Sequence, residues 1–387
     1  MKAKLNFFPV GNGDMTLLET ESGKTILVDI NIRAAADNPD DETPDVATEL
    51  RDRLKRDSKG RLYADAFLLS HPDQDHCGGL RNHFHLGPPD EWSKDDDKIL
   101  IREIWSSPMV FRRASSNHTL CKDAKEFNSE ARRRVQAFRD HGNDVGEGDR
   151  ILILGEDENG KTDDLDDILI RVDETFSRIN GADDNTFSAY LLAPLPKDED
   201  EEGEEELSKN KSSTILQFTL SGEGYADQCR YLTGGDAEVA IWEKLWNKHE
   251  DDPDCMTYDV LLTPHHCSWH SLSYDSWSDM GEDAEVCQVA RDALSQGRSG
   301  ALLIASSNPV KDDKNDPPCI RAKREYEDIA NDFSGEFKCV GELPSEDNPD
   351  VLEIKVTKNG PKPLVRHLAS STILGTGAIG RQPLGHG

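Results

Sequence analysis

Ser70-His71-Pro72-Asp73-Gln74-Asp75-His76-Cys77-Gly78-Gly79 places four imidazole or carboxylate side chains within six residues. The stretch before it, Ala64–Ser70, is an apolar run of the kind expected for a strand buried on both faces. In a tight loop, alternate residues point to one side. His71 and Asp73 can then face one cation, and Asp75 and His76 a second beside it. Imidazole mixed with carboxylate suits Zn²⁺, Mn²⁺ or Fe rather than Ca²⁺, which takes oxygen ligands. The alternative is a polar loop in which Asp73 or Asp75 caps the helix that follows.

Two distant segments repeat the layout of apolar strand followed by ligand. Tyr231-Leu232-Thr233-Gly234-Gly235-Asp236 ends in a carboxylate, although a lone Asp after a strand is ordinarily a turn residue. Val260-Leu261-Leu262-Thr263-Pro264-His265-His266-Cys267-Ser268 ends in a histidine pair. In an open α/β sheet such strand ends gather on one edge, where ligand sites form.

Outward from these motifs, Lys4–Val10, Met15–Glu19 and Thr25–Asp29 read as an opening β-meander, with Gly11-Asn12-Gly13-Asp14 as a tight turn. Further strands are expected at Ile99–Trp105, Asn185–Leu192, Ser213–Leu220, Gln228–Thr233, Tyr258–Thr263, Ala301–Ser306 and Val351–Val356. Helices are expected at Val46–Lys55, from Gly79 to His85, and at Cys121–Arg139, Ala237–Asn247, Ala284–Leu294 and Ile320–Ala330. Lys197–Lys209 (KDEDEEGEEELSK) reads as a disordered acidic loop, having little to bury against the cost of ordering it. We expect one domain over residues 1–366, with insertions near 31–62, 106–148 and 194–211, and a flexible Gly-rich tail over 367–387.

The 387 residues carry 45 Lys and Arg against 76 Asp and Glu, a formal charge of −31. Such a chain repels a nucleic-acid backbone overall, because affinity for phosphates rests on basic side chains. Between Arg102 and Asp140 the balance inverts to nine basic against five acidic residues. A solvated helix face explains this inversion, and a substrate-facing patch is the alternative. The apolar stretches are far shorter than the roughly 20 residues needed to span a bilayer, so no membrane association is expected. The opening MKAKLNFFPVGNGD lacks the apolar core of a secretory signal. The eight cysteines form no C-x-x-C pair, which argues against a zinc ribbon and for reduced thiols in a cytoplasmic protein. Cys77 and Cys267 each adjoin a candidate ligand and are expected to lie near each other.

Together, H-x-D-x-D-H-x-G-G, T-G-G-D and P-H-H-x-S resemble the motifs of the metallo-β-lactamase superfamily. The opening Val10-Gly11-Asn12-Gly13-Asp14 resembles the start of its ComEC-like metallohydrolase branch. The resemblance runs from about Leu5 to about Val356 and implies an α/β fold, an αββα four-layer sandwich with two divalent metal ions (Zn or Mn) at one sheet edge. It implies that His71 and Asp73 hold the first ion, that Asp75, His76 and His266 hold the second, and that Asp236 bridges them. Asp29, with Asp14, would support the metal loop. His265 would meet an anionic substrate oxygen, Ser268 would bind substrate, and Asp75 would orient the nucleophile or shuttle its proton.

Asp73 stands where the commoner motif has His, and Cys267 replaces a usual Gly. No His occurs in the Asn210–Leu216 stretch, where the superfamily's third motif supplies a ligand to the first ion. His118, from an insertion, is a candidate substitute. Two neighbouring cations would activate a shared water as hydroxide. The expected function is thus a metal-dependent phosphodiesterase or nuclease. The alternatives are hydrolysis of a non-nucleic ester, such as a phosphocholine or acyl ester, and a catalytically weak metal-binding module regulated by a protein partner.

Overall fold

The computed structural model describes residues 2–117, 119–209 and 211–364. His118, Asn210 and the expected tail lie outside the described residues. Two mixed sheets, of eleven and seven strands among the described residues, form the frame. The first opens with the meander Lys4–Phe7, Thr16–Glu19 and Thr25–Val28, in the register Leu5↔Leu18 and Leu18↔Ile26. It then turns parallel through Leu62–Leu68, Ile99–Ser106 and Arg150–Leu154. The second sheet starts antiparallel with Phe187–Ala193, Ile215–Gly222 and Tyr225–Leu232. It continues parallel through Tyr258–Leu262, Gly297–Ala305 and Glu336–Cys339. The parallel strands are apolar on both faces because both are covered.

Between the sheets lies one core. Phe7 meets Tyr231 at 5.7 Å between ring centroids, and Trp105 stacks on Phe218 at 6.5 Å. Outside the first sheet, Lys122–His141 packs Phe127 against Phe67 at 5.7 Å. Outside the second, Val239–His249, Gln288–Leu294 and Ile320–Asp332 bury Trp242, Leu245, Leu294, Tyr326 and Ile329 in a separate core. The order of layers is helix, sheet, sheet, helix. This is the α/β four-layer sandwich expected from the motifs.

Some element boundaries differ from expectation. The first strand stops at Phe7, since Pro9 has no N–H to offer a ladder. Beyond Gly79 there is only one helical turn, Leu80–His83, after which Phe84–His85 pairs with Ile99–Leu100. The helix expected from Ala284 begins at Gln288. The larger correction is the acidic run, which is helical over Glu201–Lys209. Leu207 is buried, and Glu204 pairs with the buried Arg113 at 2.9 Å. Its three glutamates in the first turn also favour the positive end of the helix dipole. No described helix is long and apolar enough to cross a membrane.

Trp105 is fully buried and donates Nε1–H to Glu103. Trp105→Ala is expected to cost about 3–5 kcal/mol of unfolding free energy. Chemical denaturation followed by far-UV circular dichroism would measure it.

Candidate metal centre

Leu62–Leu68 ends beside Thr25–Val28, and this junction builds the first part of the site. Asp29 follows the latter strand with φ +54°, and its N–H donates to Leu68 O at 2.9 Å. Its carboxylate accepts bonds from the Ser70 N–H at 2.7 Å and from the Ser70 hydroxyl. It also faces His76 Nδ1 at 2.9 Å. Asp73 stands at the N-cap position of the short helix Gln74–Cys77, yet its side chain makes no capping bond. It turns instead toward His71, with Oδ2 3.1 Å from Nε2.

The second part comes from the end of Tyr225–Leu232. Gly235 has φ +48°, and a Cβ there would meet Ser213 Cβ at 2.7 Å, so only glycine lets this turn close. Asp236 N–H donates to Ser213 Oγ at 2.9 Å, while Thr214 N–H donates to Ser70 O at 3.0 Å. The first bond closes the end of the second sheet, and the second ties that end to the edge of the first sheet.

The third part follows Tyr258–Leu262. His265, His266 and Cys267 have φ of +51°, +55° and +66°, three successive non-glycine residues in the left-handed region. Each such residue costs on the order of 1–3 kcal/mol and persists only when the surroundings over-determine it. Here His265 N–H donates to Gly235 O at 2.8 Å, and Cys267 O accepts from Cys319 N–H at 3.0 Å.

These three segments converge. Asp75, His76, Asp236 and His266 form one group in which one ligand atom per residue lies within 4.8 Å of the others. His71, Asp73 and Asp236 form a second group by the same measure, and Asp236 belongs to both. His76 Nε2 lies 2.8 Å from Asp236 Oδ1. His266 Nε2 lies 3.4 Å from both Asp236 Oδ1 and Asp75 Oδ2. Donor atoms around a tetrahedral ion with bonds of about 2.0 Å stand roughly 3.3 Å apart, so this spacing fits a cation. Both ring nitrogens of His71 and of His266 are buried, and the carboxylates 3.1–3.4 Å from three of them form no well-aligned hydrogen bond. A donor set of imidazoles and carboxylates with such orphaned nitrogens fits a divalent metal.

The other imidazole nitrogens are held from behind. His76 Nδ1 is backed by Asp29 at 2.9 Å, and His266 Nδ1 faces Asp14 at 3.4 Å. A carboxylate behind a ligating histidine fixes its ring and tautomer. Asp14 and Asp29 are both buried. Asp75 keeps 37% of its side chain exposed, the most open group here.

Charge is balanced internally. Burial opposes the Asp236 carboxylate, yet His76, His265 and His266 hold it well below the usual carboxylate range. Burial likewise opposes protonated imidazoles, but Asp236 and Asp29 raise His76 well above its ordinary value. Asp236 and Asp14 raise His266 to about 10. Burial drives His265 down to about 3. It pushes Glu238 up to about 7.

All six residues expected as ligands are therefore neighbours. Ser268 is not free to meet a substrate. It is fully buried, donates to Asp316 Oδ1 at 2.6 Å and accepts from His270 N–H at 3.1 Å. Cys77 and Cys267 lie in different cores. Cys77 Sγ meets Cys121 Sγ at 3.4 Å on the first sheet's side, and Cys267 packs on the second sheet's outer side.

Three residues of this region were not anticipated from the sequence. They are Lys211, whose Nζ lies 3.0 Å from His265 Nε2, Glu238, 3.8 Å from His265 Nδ1, and Asp316. Glu238 stands two residues after Asp236, which hinted at it. The partners of Lys211 and Asp316 are too distant in sequence for any spacing rule.

No protein-family model matches the chain, and no curated protein matches it. Solved structures of similar layout include Igni18, a metallo hydrolase from the hyperthermophilic archaeon Ignicoccus hospitalis KIN4/I. It is 10% identical with a TM-score of 0.35, over 91% of this chain and 98% of that one. Unliganded yeast PDE1 is 13% identical with a TM-score of 0.36, over 88% and 97%. The Rm3 metallo-beta-lactamase is 12% identical with a TM-score of 0.32, over 75% and 89%. At TM-scores below 0.5, these likenesses assign neither a family nor a substrate to this chain.

Because His76 and His266 bind protons more tightly folded than unfolded, their contribution to metal-free stability is complete below about pH 6.5. It is lost as pH rises toward about 10. The melting temperature of metal-free protein should fall across that interval. Added Zn²⁺ or Mn²⁺ should raise it most at the upper end, because ligation must displace those protons. A metal-free melting temperature that climbs over the same interval would contradict this balance.

Proposed function

We propose that the chain is a metal-dependent hydrolase of phosphodiesters. The observation that carries this reading is the convergence of His71, Asp73, Asp75, His76, Asp236 and His266, from three separated strand ends, into two adjoining groups that share Asp236. His71, Asp73 and Asp236 would hold one divalent ion, and Asp75, His76, His266 and Asp236 a second. Zn²⁺ and Mn²⁺ both suit such donors. Bound there, the ions would lower the pKa of a water toward about 7 and offset charge growing on the phosphoryl oxygens.

The protein's own groups then have distinct tasks. Asp29 and Asp14 fix the rings of His76 and His266, so that both Nε2 atoms point at Asp236. Asp75, partly exposed, is placed to accept a proton from an attacking water. The resemblance of Val10–Asp14 and of Asp73 to the ComEC-like branch supports a phosphodiester rather than a lactam substrate. We also read the protein as cytoplasmic, on its unpaired thiols.

Long nucleic acid is disfavoured. The basic surplus between Arg102 and Asp140 is largely spent on internal pairs. Arg102, Arg112, Arg113, Arg134 and Arg139 meet Asp65, Asp157, Glu204, Glu130 and Asp164, all within 3.1 Å. With a charge of −31, this supports small or cyclic phosphodiesters over a polymer.

Asp75→Ala and His266→Ala should each lower kcat/KM for bis-p-nitrophenyl phosphate by at least about 10²-fold, with circular dichroism unchanged. Chelation should abolish wild-type turnover, and Mn²⁺ or Zn²⁺ should restore it. Full activity in either metal-replete variant would remove the assignment. Faster turnover of phosphocholine or acyl esters would move the substrate to that class. Less than one equivalent of metal in supplemented protein would favour a non-catalytic module.

A further inference from the structure

Lys211 is the uncommitted cation at this centre. In a chain with 76 acidic residues, no described carboxylate forms an ion pair with its ammonium. Among the described residues its side chain bonds to His265, at 3.0 Å from Nζ to Nε2, and that nitrogen is in turn 3.9 Å from Asp236 Oδ2. The backbone around Lys211 is pinned. Arg113 donates to Ser212 Oγ at 3.2 Å, Ser213 Oγ accepts from Asp236 N–H at 2.9 Å, and Thr214 N–H donates to Ser70 O at 3.0 Å. Ser212, Ser213 and Thr214 are all buried. The lysine is thus held beside the ligand cluster by bonds to Arg113, Asp236 and Ser70 from the three residues that follow it.

The hydrogen bond has a direction. An ammonium offers three donors and no acceptor. His265 Nε2 must therefore accept, and the ring's proton sits on Nδ1, which faces Glu238 Oε1 at 3.8 Å. His265 cannot give a proton from Nε2 to a substrate oxygen while this bond stands. Lys211 keeps two N–H donors free.

We propose that Lys211 is the substrate-anion contact of this centre, selecting ligands with a negatively charged phosphoryl oxygen, and that His265 positions it. The assignment rests on the phosphodiester reading above and narrows it. A phosphodiester brings a full negative charge to Nζ, whereas a neutral acyl ester brings none. The point charge of lysine on a flexible stem tolerates varied phosphoryl orientations. Glu238 faces the other nitrogen of His265, and burial raises its carboxyl to about 7.

The test titrates inorganic phosphate into the full-length, Zn²⁺-loaded protein by calorimetry, for wild type, Lys211→Met and Lys211→Arg, each first checked by circular dichroism. Loss of one charge-assisted hydrogen bond should raise Kd about 10–100-fold in Lys211→Met. Lys211→Arg should recover most of it. Equal Kd in wild type and Lys211→Met, or no phosphate binding by wild type, overturns the assignment. Lys211-dependent phosphate binding without diester turnover would keep the anion contact and remove the hydrolase reading. Diester turnover with kcat/KM unchanged in Lys211→Met would do the reverse.

Discussion

Asp14, Asp29 and Asp236 are carboxylates with almost no contact with solvent, each 2% exposed or less. Charges in that position must be paired or bound to metal, since an isolated one costs far more than a fold can supply. Here two imidazoles stand between them. His76 spans Asp29 and Asp236, and His266 spans Asp14 and Asp236. This alternation explains why strands from both sheets end at the same place. It also explains why the bond joining the sheets, from Thr214 to Ser70, and the bond within the second sheet's end, from Asp236 to Ser213, are buried rather than left to water.

Much of this was readable from the chain because it is local. The ligands follow apolar strands by three to eight residues, and parallel strands bring such ends to one edge. The four-layer order was expected only through the resemblance of the motifs to the metallo-β-lactamase superfamily. What could not be read depends on contacts between distant segments. Lys211 meets His265 across 54 positions, and Ser268 meets Asp316 across 48. Nothing in the composition of either segment encodes those meetings. Ser268 therefore carried a substrate role in its motif while its hydroxyl was already engaged elsewhere. The helix Glu201–Lys209 was hidden similarly. Its acidic composition argues for disorder, and the ion-pair partner of Glu204 is Arg113, about ninety residues earlier.

The outer helical layer redistributes the charge of the molecule. Arginines clustered in sequence between Arg102 and Arg139 are scattered in space onto separate acidic partners. A local excess along the chain is thus largely paired with acidic side chains. The cysteines make the same point from another side. Cys77 follows a ligand in sequence, but its sulfur turns away from the cluster, toward Cys121 and the carbonyl of Asp73.

The left-handed turn at His265–Cys267 bears on how this protein fails. Its three strained residues stay wound only while Gly235 and Cys319 hold the turn at either end. The turn works as a latch under tension. Release at either anchor would unwind the segment and carry His266 out of the cluster along with His265. Fraying confined to a few residues would then scatter the cluster while both sheets remained intact.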